Sequence, residues 1–172
     1  MILETGRLSL RPCSMDDVDA LHALWTEPGV RRYLWDDVVI DRETAHEAVQ
    51  SALEDWADYR VGLFCIRLRG SAAIIGFCGF RRYPPNEEWE LLYGLAPAHW
   101  GQGLAVEAAR AALAFAFSAL PVDRIAGRTD PPNTASIRVL EKLGMQCVGA
   151  ANIDGRATVC YTIARPAVSC NE

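Results

Sequence analysis

The sequence predicts an α/β domain of the α+β kind, a mixed and mainly antiparallel sheet of six to seven strands flanked by about four helices. Three observations predict it. Two short runs rich in branched and aromatic residues, VGLFCIRLRG and AAIIGFCGFRRY, meet at a turn around Gly70 and Ser71 and read as paired strands. Runs with helical spacing fall between groups of strands, without alternating strictly with them. One strand-helix-strand crossover, from Tyr93 through a long helix to Ile125, supplies a single parallel pair in the middle of the sheet.

Taken in order, RLSLRPCS alternates and then breaks at a proline, as a first strand feeding a turn does. Ser14 and Asp17 make a capping box, and Val18, Leu21, Leu24 and Trp25 follow at helical spacing. Residues 15–26 are therefore expected to be helical, with Pro28 and Gly29 ending the run. After VRRYLW, a second capped run starts at Asp41 and places Ala45, Val49, Ala52, Leu53 and Trp56 on one face. The paired strands from Val61 come next. A Pro-Pro-Asn turn at 84–86 precedes EEWELLYGLAP, a third strand of this group, in which Gly94 marks a bulge or a close backbone approach. WGQGLAVEAARAALAFAF passes through a glycine loop into a helix, and VDRIAGRT is a strand. PPNTASIRVLEKLG is a helix that stops at Gly144, and two last strands flank an Asp154-Gly155 turn. No repeat, linker or low-complexity stretch divides residues 1–172, which read as one domain.

The 172 residues are 51% apolar, enough for one real core. A net charge of -5 argues against a nucleic-acid partner held by phosphate neutralisation; Arg31, Arg32, Arg81 and Arg82 read as solvated surface. Six cysteines, irregularly spaced and without a C-x-x-C pair, fit a reducing cytoplasm, and His22, His46 and His99 lack metal-ligand spacing, so no metal is expected. No segment reads as a signal peptide or a membrane span, which needs roughly 20 apolar residues.

Gly101 and Gly103 stand where the long helix is about to begin. A strand, a tight glycine loop and a helix N-terminus make an anion site, because several amides point outward and the macrodipole adds roughly half a positive charge. No lysine followed by Ser or Thr comes after the glycines, and Val106 stands near where a dinucleotide loop would have its third glycine. The ligand is expected to be a phosphate carrier of another kind. Glu90 and Gly94 on the preceding strand, and NTASIRVLEKLG beyond the next, surround the loop.

At these residues the chain resembles the GNAT superfamily of acyl-CoA-dependent N-acyltransferases. The motif Q/R-x-x-G-x-G/A falls on Trp100, Gly101, Gln102, Gly103, Leu104 and Ala105, with Trp100 in place of Gln or Arg. That departure is similar to the branch of ribosomal-protein N-terminal acetyltransferases, as are the following Glu-Ala, the run from Pro131 to Gly144 and the opening ETGRLSLRP. The resemblance implies a sheet splayed between the fourth and fifth strands and acetyl-CoA as cofactor. The pantetheine arm would lie along Gly94 and Leu95, and the pyrophosphate on amides from Gly101 to Ala105, where a side chain at Gly101 or Gly103 would crowd it, with Trp100 counted among the cofactor-binding residues. Asn133 would hold the cofactor's other flank, or only cap the helix that follows.

The implied reaction is direct attack of a primary amine on the thioester in a ternary complex. Leu95 N–H is the expected oxyanion donor. Glu90 would be the base, or one residue of an exposed acidic strand end. A tyrosine seven residues after the motif asparagine serves many relatives as acid; that position is Leu140 here, which leaves Ser136, with a first-turn cap as its other reading, or solvent. Near pH 7 about a tenth of an α-amino group is neutral, against on the order of one in a thousand for a lysine, so the demand on the base depends on the acceptor. The acceptor region is expected around Leu34, Trp35, Tyr83, Trp89 and Tyr161, shared with the core. A protein N-terminus is favoured over a small amine or antibiotic. The rivals are a non-catalytic acyl-CoA sensor and, far behind, a nucleotide-binding domain with a wholly parallel sheet. Related proteins are often dimers, so a homodimer is expected to be possible.

Overall fold

The computed structural model describes residues 1–83 and 87–167, with Tyr83 described by its backbone alone; the expected turn at 84–86 lies outside the described residues. Eight strands form one sheet: β1 (Leu3–Glu4), β2 (Leu8–Pro12), β3 (Leu63–Leu68), β4 (Ile74–Tyr83), β5 (Glu88–Leu95), β6 (Arg124–Thr129), β7 (Gln146–Ile153) and β8 (Arg156–Ala164). Their order is β1-β2-β3-β4-β5-β6-β8-β7. Every neighbouring pair is antiparallel except β5 and β6. A wholly parallel nucleotide-binding sheet is thereby ruled out.

Five helices flank the sheet: α1 (Val18–Thr26), α2 (Pro28–Leu34), α3 (Arg42–Tyr59), α4 (Leu104–Ala119) and α5 (Thr134–Lys142). The alternation along the strands assigns them to faces. On β3, Phe64 and Ile66 join the core beneath α4, with Leu104, Ala108, Ala112 and Ala116, whereas Leu63 and Cys65 join the core beneath α1 and α3, with Leu21, Trp25 and Val49. Both faces of this strand are covered, which is why LFCI is continuously apolar. Each fully buried large apolar side chain contributes about 1.5–3 kcal/mol. The alanines of α4 let the helix lie close on the strands.

Three expectations need correction. Pro28 and Gly29 do end α1, but they also begin α2, because proline lacks an amide that the first helical position does not need. The eighth strand, β1, has two residues and escaped the strand pattern. Gly94 is not a bulge: the β4–β5 register runs unbroken from Tyr83↔Glu88 to Gly76↔Leu95. Gly94 instead allows a close approach, since a Cβ there would lie 2.6 Å from the Phe77 ring. Among the described residues, no helix is long and apolar enough to cross a membrane.

Candidate active site

The loop before α4 is shaped by its two glycines. Gly101 and Gly103 have φ of +72° and +75°, in the left-handed region that side chains disfavour. The reason for glycine is thus first a backbone one. Nothing lies within 4 Å of a Cβ built on Gly101, so the space on that side of the loop is open. Gly103 caps α4, and the first intrahelical bond runs from Glu107 N–H to Gly103 C=O, which leaves the earlier amides without helical partners.

Side chains lock this loop from outside. Trp100 donates its indole N–H to Leu95 C=O at 2.6 Å and lays its ring over Gly29, where a Cβ would meet it at 2.6 Å. Tryptophan at the departing motif position therefore ties the loop to β5 and α2. Arg7 donates to Gln102 C=O at 2.9 Å and to Glu107 Oε2 at 2.7 Å, while Thr5 Oγ1 donates to Glu107 Oε1 at 2.6 Å. Burial opposes the Glu107 charge, but the bonds from Thr5 and Arg7 outweigh it and hold the carboxyl below its ordinary range. The Gln102 side chain turns back to Ala98 C=O at 3.2 Å and does not line the cavity; Leu104 and Ala105 do.

Beside the loop the sheet opens. Pairing between β5 and β6 is confined to Glu90↔Ala126, although both strands run on, to Leu95 and Thr129. Ala96 N–H donates to Ile75 C=O on β4 at 2.8 Å, so the alternation of the ladder turns the Leu95 amide the other way, into the opening. Across it, Tyr93 OH and Ser136 Oγ are hydrogen-bonded at 2.7 Å. Asn133 caps α5 and accepts from Ser136 N–H at 3.2 Å, which fixes the serine. Burial pushes the Tyr93 phenol up from its ordinary value, against a smaller opposite effect of the Ser136 bond. Sequence reasoning missed Tyr93, whose partner lies 43 positions away; the tyrosine next to Gly94 was its one available signal.

A cavity of about 860 Å³ joins the loop, the opening and a mouth between α2 and the β7–β8 hairpin. Leu34 and Glu90 line it; Trp35 and Trp89 do not. Trp35 packs on Trp25, with ring centroids 5.9 Å apart, Trp89 stands edge-on to Tyr59 at 5.4 Å, and Tyr161 is buried in the same core cluster as Trp89. The Tyr83 side chain lies outside the described residues. Glu90 is 2% exposed, unlike the exposed strand end its neighbours suggested. It accepts from Arg81 Nε at 3.0 Å, and Arg128 Nη1 stands 3.7 Å away. At the mouth, Arg156 pairs with Asp36 and reaches within 3.7 Å of Asp130. Among the described residues no cluster of three or more His, Cys, Asp or Glu is placed to hold a metal.

An opened mixed sheet beside a glycine loop, with one cavity reaching both, is an arrangement with room for an extended carrier whose far end reaches the sheet's centre. The acetyltransferase (GNAT) domain model matches residues 7–146, and the chain belongs to that family. An uncharacterized N-acetyltransferase of Bacillus licheniformis, p20, is 32% identical over 148 residues, 86% of this chain and 83% of its own. A GNAT-family acetyltransferase structure from Bordetella pertussis superposes with a TM-score of 0.82 at 26% identity, covering 95% of this chain and 99% of that one. Two others share the fold at 19% identity: an enzyme from Salmonella typhimurium that modifies the N-terminal serine of ribosomal protein L7/L12, with a TM-score of 0.80 and 96% and 100% coverage, and an aminoglycoside acetyltransferase in complex with coenzyme A, with 0.77 and 92% and 95%. Family membership makes the protein an acetyl-CoA-dependent N-acetyltransferase.

Proposed function

We propose that the protein acetylates an N-terminal α-amino group of a protein or peptide, by direct attack in a ternary complex. One observation carries the ternary complex: a single cavity runs from the glycine loop, past Leu95 and the Tyr93–Ser136 pair, to Glu90 and the mouth, with room for carrier and acceptor together. The residues fit acetyl-CoA. Amides from Gly101 to Ala105 would take its diphosphate, Gly94 and Leu95 would flank its arm, and Asn133 and Ser136 would bound its other side. The carrier supplies an activated acyl group. Leu95 N–H would receive negative charge on the acyl oxygen, and the Tyr93 hydroxyl, held by Ser136, would give a proton to the departing sulfur.

Glu90 receives the amine's proton directly or through water. Its carboxylate is already engaged by Arg81, which suits an acceptor that asks little of a base. An α-amino group, about a tenth neutral near pH 7, asks least. The fold-level neighbours include enzymes for a protein N-terminus and for an aminoglycoside, so the acceptor rests on this argument from proton demand. Free cysteines at positions 13, 65 and 78, all buried, support a reducing compartment.

Thiol release from acetyl-CoA, followed with a panel of peptides and small amines, tests the reading. Peptides with free N-termini are expected to turn over and N-blocked ones, even with lysine, are not; release only on small amines would replace the acceptor, and binding without release would favour a sensor. Glu90→Gln is expected to lower turnover most at low pH, where protonated amine predominates. Tyr93→Phe, which keeps the ring's packing, is expected to lower kcat by about a hundredfold. Full activity of both variants across pH would remove these residues from the chemistry.

A further inference from the structure

Two stretches set apart by the sequence, the opening ETGRLSLRP and the Glu-Ala after the glycine loop, meet in the fold, and neither has a part in the chemistry above. Thr5, Gly6 and Arg7 make the turn between β1 and β2, and Glu107 stands in the first turn of α4. Glu107 gathers that turn around its carboxylate. Its Oε1 accepts from Thr5 Oγ1 at 2.6 Å and from Arg7 N–H at 2.8 Å, while Oε2 accepts from Arg7 Nε at 2.7 Å and lies 2.6 Å from Nη2. The guanidinium is thereby fixed by a two-pronged ion pair and by its own main chain. Its third nitrogen, Nη1, donates to Gln102 C=O at 2.9 Å, in the middle of the glycine loop.

One planar peptide group joins Gln102 to Gly103, so its C=O and N–H point in opposite directions. The carbonyl points out to Arg7. The Gly103 amide therefore points to the other side of the loop, where Gly103 and Leu104 line the large cavity, which Arg7 does not line. Gly103 itself does not hold this arrangement, because glycine adopts positive and negative φ about equally and lets the peptide plane turn over. We infer that Arg7 is a positioning residue for the cofactor: braced by Glu107, it holds the Gln102–Gly103 peptide so that the Gly103 amide faces the diphosphate. Pairing has a second effect. An uncovered carboxylate in the first turn of α4 would repel a diphosphate bound at that helix end, and Arg7 offsets its charge. The Arg7 side chain is 51% exposed, where an ion pair adds little to stability, so the network acts on the loop's direction more than on the fold.

Because this rests on the loop amides taking the diphosphate, the test compares coenzyme A with pantetheine, which lacks the diphosphate, in calorimetric titrations that need no turnover. Wild type is expected to bind coenzyme A more tightly than pantetheine. Arg7→Lys keeps the charge, but a single ammonium cannot grip the carboxylate twice and reach the carbonyl as well. It is expected to raise the Kd of coenzyme A about tenfold, the loss of one hydrogen bond to a charged group, and to leave the Kd of pantetheine and the urea midpoint near wild type. Wild-type affinity of Arg7→Lys for coenzyme A overturns the inference, since charge without the fork would then suffice. Equal losses for both ligands also overturn it, as a general loosening of the domain would give. If wild type binds the two ligands equally, the diphosphate does not lie on the loop, and the inference falls with that reading.

Discussion

Gly101 shows how a single residue serves backbone and ligand at once. Its φ of +72° costs an alanine about 1–2 kcal/mol, while the space above it would admit the methyl group. Gly101→Ala is therefore expected to lose about that much stability in urea titrations without ligand. It is also expected to raise KM for acetyl-CoA, because the methyl enters the space left for phosphate. Loss of stability with unchanged KM would place the diphosphate elsewhere. The glycine loop and the Asn133 cap were legible in the sequence because their signals are local, conformation and capping, whereas any role of Asn133 and Ser136 toward a cofactor came only through the resemblance. Tyr93 was not, because its meaning depends on Ser136, brought near only by the crossover. Trp35 and Trp89 were misplaced for the same reason. An aromatic residue's direction depends on what packs against it, and these two found Trp25 and Tyr59.

Elements were legible where their ends carry their own signals. Asp41 caps α3 by accepting from Thr44 N–H at 2.8 Å, and the Asp154-Gly155 turn closes its hairpin. The helix α2 was lost because proline and glycine after a helix read as a stop, whereas here the proline starts a new one. The turn leading into α1 also carries a pH dependence. Asp17 accepts from Ser14 N–H at 2.8 Å and makes a two-pronged ion pair with Arg11, at 2.5 and 2.8 Å. Burial works against its charge, but the Arg11 and Ser14 bonds prevail and hold its carboxyl at about 2. The folded pKa lies below the unfolded value, so the stabilisation is present above pH 4 and is lost as pH falls toward 2. It amounts to about 2 kcal/mol. Chemical denaturation of wild type and Asp17→Asn at stepped pH is expected to show a loss of that size between about pH 4.5 and 2 in the wild type alone. Parallel pH curves would assign the acid sensitivity elsewhere.

At the scale of the molecule, the strand and helix order foretold a mixed sheet with one parallel pair, since hydrophobic period and connection length constrain both. How little of that pair is bonded could not be read from either. Acetyl-CoA is expected to stabilise the whole fold, because it would occupy the opening between β5 and β6. At a hundredfold excess over Kd the gain is about 2.7 kcal/mol, or a rise of roughly 5–10 °C in Tm for a domain of this size. No rise at saturating ligand would contradict binding in the opening. The lone Glu90↔Ala126 bridge has a further consequence. Beyond it the two halves of the sheet are joined by side chains, among them the Tyr93–Ser136 pair and the bond from Arg128 to Glu88, so the gap between them is set by residues that can change without altering either ladder. The width of the opening is thereby a property of the side chains that span it, more than of the strands that frame it.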